Sequence, residues 1–198
     1  MATGPTVRER AKASRQAALL REAARLFAAH GFNGVSLEDL GTAVGVSGPA
    51  IYRHFANKQA VLGAVLLGVS RSLRDGGLAV VGEDGSPEDV LDRLIAFHVD
   101  FALEGADVIR VHDRDLQNLG DDDRHTVRRL QREYVELWVA VLAQLHPGVP
   151  DNELRVRAHA AFGLINSTPH SVRGLRPMPK DADVRGILAS MARASLRA

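Results

Sequence analysis

The chain has 198 residues, 45% of them apolar and 25% charged, and a formal net charge of +1. That is enough apolar material for a buried core, and the global charge does not by itself single out nucleic acid as a partner. It contains no cysteine, which excludes disulfides, thiolate zinc sites and thiol nucleophiles. Charge is nevertheless uneven: residues 1–60 sum to +4 and the rest to −3, a basic head on a mildly acidic body. The opening stretch MATGPTVRERAKASRQ lacks the apolar run of a signal peptide. The apolar stretch around Ala64–Val69 is too short to span a bilayer. The expectation is a soluble, cytoplasmic protein without membrane contact.

The first eight residues read as a polar, disordered tail. A helical pattern begins near Arg10, with Leu20, Ala23, Ala24, Phe27 and Ala28 on one face and Gly31 as its stop. Ser36 then caps a short second helix whose first turn, Glu38-Asp39, suits the helix dipole. That helix ends at Gly45. Ser47 caps a third, with Pro49 in its opening turn, and Asn57 opens a fourth that runs to about Arg74. Asp75-Gly76-Gly77 and Gly82-Glu83-Asp84-Gly85 read as punctuation. Ser86-Pro87 starts the next helix and Gly105 breaks it; a shorter one follows through Val108–Leu119. Gly120 opens a long helix that closes at His146-Pro147-Gly148. Two more run from about Asp151 through Ile165 and from Ala182 to Leu196. Period-two alternation and internal repeats are missing. The fold class is all-α with about nine helices. Residues 13–62 form a head and 63–198 a body, with the boundary inside the fourth helix.

The stretch Ser36 to Phe55 carries the most information. Two helices meet at a tight turn, where Gly45 supplies positive φ. Leu40, Val44, Val46 and Ile51 point inward. Gly48, Pro49, Ala50, Tyr52, Arg53 and His54 point outward, a face of small, aromatic and cationic groups suited to a major groove. Arg53 is the best reader of sequence, because a guanidinium bonds guanine O6 and N7 bidentately. Tyr52 and Phe55 would alternatively serve as core aromatics.

Residues 14–62 resemble the N-terminal domain of the TetR family of bacterial transcriptional regulators. The matching pieces are Ala23-Ala24-Arg25-Leu26-Phe27, Gly31-Phe32, Val35-Ser36-Leu37, Leu40-Gly41, Ala43-Val44-Gly45-Val46-Ser47, Ile51-Tyr52-Arg53-His54-Phe55 and Asn57-Lys58. The resemblance implies a DNA-binding surface of Ser36, Ser47, Gly48, Pro49, Ala50, Tyr52, Arg53, His54 and Lys58. Tyr52, His54 and Lys58 would meet the DNA backbone; Gly48, Pro49, Ala50 and Arg53 would lie nearest base edges. It also implies a homodimer on a palindromic double-stranded operator. Ala158, Ala161, Phe162, Ile165, Ile187, Leu188 and Met191 would form the dimer face, unless those stripes are buried within one subunit.

The body would enclose a small-molecule inducer, with Phe97, Phe101, Val108, Val111, Leu116, Tyr134, Trp138 and Phe162 as lining, or as plain core. Arg110, Arg114, Arg128 and Arg173 around it lean toward an amphipathic anion such as an acyl-CoA. Asn118, Asn166, Ser167, Thr168 and His170 form a polar patch near a proline break at Pro169. His98, His112, Asp113, Asp115 and His159 lack a metal-ligand spacing, so neither metal nor cofactor is expected. No nucleophile elbow, P-loop or dinucleotide glycine pattern appears, which argues against an enzyme. The functional expectation is a transcriptional regulator, most simply a repressor released by its inducer. The alternatives are an activator of the same fold and a helical ligand-binding module that does not bind DNA.

Overall fold

A computed structural model describes residues 6–45, 51–172 and 174–198. Among them are eight α-helices and one 3-10 turn, and no strand. The helices are α1 (Val7–His30), α2 (Leu37–Ala43), α3 (Lys58–Val81), α4 (Pro87–Glu104), α5 (Ala106–Asp115), α6 (Asp121–Leu145), α7 (Asp151–Val172) and α8 (Asp181–Arg197). The 3-10 turn, Leu116–Asn118, follows α5. The opening of the expected third helix, from Val46 through Ser47 to Ala50, lies outside the described residues, as does the start of the N-terminal tail. Helix α1 begins at Val7, so the expected disordered tail is corrected at Val7 and Arg8, and the helical pattern expected from about Arg10 is present.

Two compact units make up the chain. The first is residues 1–68 together with 110–125; the second is residues 69–109 with 126–198. In the first, α1 buries Leu19, Ala23, Ala24, Phe27 and Ala28, and α2 buries Leu37, Leu40 and Gly41. Ile51, Phe55, Val61, Leu62 and Leu66 are also fully or almost fully buried in this unit. α2 begins with a complete capping box. Ser36 Oγ accepts from the Asp39 N–H at 3.0 Å, and Asp39 accepts from the Ser36 N–H at 2.8 Å. Two of the orphan donors at this helix start are thereby satisfied. Gly45 has φ +67 after α2, a conformation costly for any residue with a Cβ.

The second unit is a helical bundle around one core. Leu91, Leu94, Ile95 and Val99 of α4 meet Trp138, Val139 and Leu142 of α6, Leu154, Ala158 and Ile165 of α7, and Leu188 and Ala192 of α8. Ion pairs from Arg193 to Asp92 (2.6 Å) and from Arg185 to Asp100 (2.5 Å) run along the α4–α8 seam.

Asp75-Gly76-Gly77 does not punctuate the chain, because α3 continues through it to Val81. The reason lies in packing. A Cβ at Gly76 would collide with the Phe97 ring, and one at Gly77 would sit 2.7 Å from Tyr134 Cε2. The two glycines let aromatic rings reach the helix backbone, so tertiary contact overrides poor helix propensity. Pro169 sits inside α7, the helix in which the sequence placed it.

Candidate functional site

In the first unit the side chains expected to meet DNA are placed in part. Ser47, Gly48, Pro49 and Ala50 lie outside the described residues. Ser36, Tyr52, Arg53 and His54 are all exposed, and Phe55 is buried. Tyr52 is 51% exposed, and its hydroxyl donates to the Glu38 carboxylate at 2.7 Å. That bond holds the Glu38 carboxyl below the usual carboxylate range and raises the Tyr52 phenol. Glu38, which the sequence reading used only as a first-turn acid, therefore orients an exposed aromatic. Lys58 is half-buried. Its ammonium donates to the Phe32 carbonyl at 2.6 Å and lies 4.4 Å from the Phe32 ring centroid. With donors to spare, it also buttresses the turn after α1.

Arg114 holds this unit together from a distant part of the chain. Its guanidinium donates to the carbonyls of Phe27 and Ala28 in the last turn of α1 and to the Asp115 carboxylate at 2.9 Å. The Phe27 carbonyl also accepts from the Gly31 N–H at 2.8 Å, and a cation at this end of α1 complements the helix dipole. Asp115 is buried, and its hydrogen bonds to Arg114 raise the guanidinium's pKa. The sequence suggests Arg114 as a neighbour of the inducer. In the structure it clasps α1, and its partners are 86 and 87 residues away, which no local pattern reveals.

The second unit contains a buried aromatic cluster with a polar centre. The His98 ring stacks on Tyr134 at 5.7 Å and lies 4.6 Å from Phe162 and 5.9 Å from Trp138, centroid to centroid. Its ring nitrogens are 3.1 Å from the Tyr134 hydroxyl and 3.2 Å from Asn166 Oδ1. Burial pushes the His98 pKa down to about 4 against the hydrogen bond to Asn166, so the ring is neutral at pH 7. Burial also raises the Tyr134 phenol. Trp138 is fully buried and its indole N–H reaches no acceptor at hydrogen-bonding geometry, although the indole lies near enough to Tyr134 to oppose the effect of burial there. A buried donor without an acceptor costs about 1–3 kcal/mol, so such a group marks a place where a further acceptor would be welcome.

Of the expected lining, Phe97, Phe101, Tyr134, Trp138 and Phe162 gather around His98, directly or through a shared ring. Val108 is half-buried in the same unit, whereas Val111 and Leu116 belong to the first unit. Asn166, from the polar patch, joins the cluster; the side chain of His170 and residue Arg173 lie outside the description. His98 is in the second unit and His112, Asp113 and Asp115 in the first. Among the described residues no three His, Cys, Asp or Glu side chains converge as a metal site would require.

The expected dimer face needs correction. Ala158, Ala161, Ile165 and Leu188 are all buried in the single chain's own core, leaving no surface to present to a mate. Phe162 faces His98. Ile187 and Met191 remain, at 58% and 51% exposed. On α7 the apolar and small residues left exposed include Val156, Ala160 and Gly163. The inward stripe was the more hydrophobic of the two, and for that reason it went to the core.

No helix among the described residues is long and apolar enough to cross a membrane. Residues 19–65 match the family described as bacterial regulatory proteins, tetR family, and residues 84–170 match the tetracyclin repressor-like C-terminal domain. Over 170 residues the chain is 26% identical to the HTH-type transcriptional repressor KstR2 of Rhodococcus jostii (strain RHA1), covering 84% of this chain and 82% of that protein. A TetR-family regulator from Bordetella parapertussis 12822 shares the fold with a TM-score of 0.76, at 23% identity and over 92% of both chains. AibR, in a crystal structure with isovaleryl coenzyme A and operator DNA, superposes with a TM-score of 0.71 at 19% identity, over 89% of this chain and 97% of AibR.

Proposed function

Because the chain belongs to the TetR family of bacterial transcriptional regulators, we propose that this ligand-responsive DNA-binding regulator acts as a homodimeric repressor. It binds a palindromic operator through its first unit, and an inducer held in its second unit releases it. It works in the cytoplasm and catalyses no reaction. The head reads DNA through Arg53 and holds the backbone with Tyr52, His54 and Lys58, with Ser47, Gly48, Pro49 and Ala50 nearest the bases. Exposure of Tyr52, Arg53 and His54 supports this. Val156, Ala160 and Gly163 of α7 with Ile187 and Met191 of α8 form the dimer face, a small and apolar strip suited to close helix packing. Two heads one helical turn apart would then match a palindrome.

The observation that carries the ligand half is the buried cluster of His98, Tyr134, Asn166 and the Trp138 N–H, ringed by phenylalanines. Apolar walls around a few convergent polar groups are the common make-up of small-molecule sites. An acyl chain with a carbonyl to accept from Trp138 fits that environment. AibR, which shares the fold, is held with an acyl-CoA and operator DNA, and this favours acyl-CoA as the ligand class.

Trp138 is the only tryptophan of the chain, so its emission reports on the cluster without labelling. Acyl-CoAs of increasing chain length are titrated into the protein, free and bound to DNA fragments selected for tight binding. The expected result is a chain-length-dependent change in emission with a loss of DNA affinity of roughly 5–150-fold. Unchanged emission and unchanged affinity across the series would refute the ligand assignment. A ligand that binds both DNA-competent and DNA-incompetent forms equally would shift nothing.

A further inference from the structure

Between α6 and α7, within the second unit, lies a depression of about 250 Å³. Its walls include Arg128, Gln131, Arg132 and Glu136 of α6 and Arg155 and His159 of α7. Three guanidiniums thus face one carboxylate. That carboxylate is already taken, because Arg155 binds Glu136 through two parallel bonds of 2.8 and 2.9 Å.

Other arginines of the same helices are matched by acids. Arg124 pairs with Asp121, Arg129 with Glu133 at 2.7 Å and Arg157 with Glu153 at 2.8 Å. Arg128 and Arg132 have no carboxylate within ion-pair distance among the described residues, although they sit one turn apart on one helix. The natural helix partner of Arg132 is Glu136, four residues on, and Arg155 holds it. Like charges at that spacing disfavour the helix slightly. An anion in the depression would reverse the effect and take bidentate bonds from planar donors.

We propose that this depression is a binding site for phosphate groups, sized for a pyrophosphate or the diphosphate part of a nucleotide. Arg128 and Arg132 provide the primary contacts, and Arg155, Gln131 and His159 form the wall. His159 also touches the buried cluster, its ring lying 6.2 Å from that of Phe162. Occupancy of the depression is therefore felt one side chain away from His98 and Trp138. The site stands on its own arginines and does not depend on which ligand fills the aromatic cluster.

Isothermal titration of the full chain with inorganic pyrophosphate, and separately with free coenzyme A, tests the proposal. The comparison is with R128Q/R132Q and with a control, R129Q/R157Q, which removes two arginines that are paired. Unfolding midpoints of all three proteins establish that the surface changes leave the fold intact. Expected is binding of pyrophosphate that salt weakens, about tenfold or more weaker in R128Q/R132Q and little changed in the control. Binding of coenzyme A but not of pyrophosphate, with the same dependence on Arg128 and Arg132, would support the site and identify a nucleotide as its source of phosphate. Absence of binding by both probes would overturn the proposal. So would equal weakening in the two double variants, which would mean diffuse attraction to a basic surface.

Discussion

Two glycines of one helix should respond differently to the same substitution. Gly68 and Gly77 both lie inside α3. An alanine gains about 0.8–1.0 kcal/mol over glycine in a helix interior. At Gly68 an added Cβ meets nothing within 4 Å, so Gly68→Ala should keep that gain. At Gly77 it would lie 2.7 and 2.9 Å from two ring carbons of Tyr134 and 3.0 Å from Leu137 Cδ1. Carbon atoms rest comfortably about 3.5–4.0 Å apart, so the ring would have to retreat by most of an ångström. It has little room to do so. Tyr134 is buried, its hydroxyl is 3.1 Å from His98 Nδ1, and its ring stacks on Phe162. Overpacking of this kind costs about 1–3 kcal/mol, which cancels or exceeds the helix gain. The two variants should differ in stability by about 1–3 kcal/mol, or roughly 2–12 °C in Tm for a chain of this size. Thermal unfolding at one fixed protein concentration measures it, since association shifts Tm. If Gly77→Ala were stabilised as much as Gly68→Ala, the claim that glycine is there to admit the Tyr134 ring would be refuted.

Three further outcomes follow from the same structure. Arg114→Gln should lower the unfolding midpoint by the equivalent of about 1–2 kcal/mol, allowing for the side chain's partial exposure, because α1 loses its carbonyl partner and Asp115 its cation; an unchanged midpoint would mean the clasp contributes nothing. The folded-state pKa of His98, about 4, lies below the ordinary 6.5, so its contribution is fully present above pH 6.5 and lost as pH falls toward 4. That loss should reach about 3 kcal/mol, and urea titrations across this window should show a shallower pH slope for His98→Gln. For the proposed homodimer, Ile187→Glu combined with Met191→Glu should halve the mass found by light scattering while leaving the helical circular dichroism unchanged; a dimer mass in both proteins would place the interface elsewhere, and a monomer mass in the unaltered protein would remove the dimer.

The parts legible in the sequence were those whose partners lie close along the chain. Ser36 and Asp39 are three residues apart, and their reciprocal bonds follow from that spacing alone. Gly45 needed positive φ because two helices had to meet there, and it has it. Hidden parts depended on distant residues. A helix break and a glycine that admits a ring look alike until Phe97 and Tyr134 are in place, so Gly76-Gly77 read as punctuation. Arg114 read as a ligand contact because its α1 carbonyls lie in another part of the chain. On α7 the period-3.6 pattern showed an apolar stripe but not its destination, and Ala158, Ala161 and Ile165 went to the core while the weaker face of Val156, Ala160 and Gly163 stayed outside. The depression at Arg128 and Arg132 had a faint local signal. Their only helix-spaced acid, Glu136, could be seen; its capture by Arg155 could not.

The most direct test of the account is to incubate the purified protein with fragmented genomic DNA at near-physiological salt, sequence what is retained, and repeat with Arg53→Ala. Expected is a palindromic consensus with two half-sites about one helical turn apart, lost or relaxed at one position of each half-site in the variant. Retention without a consensus, or an identical consensus from Arg53→Ala, would contradict the assignment of sequence reading to this head.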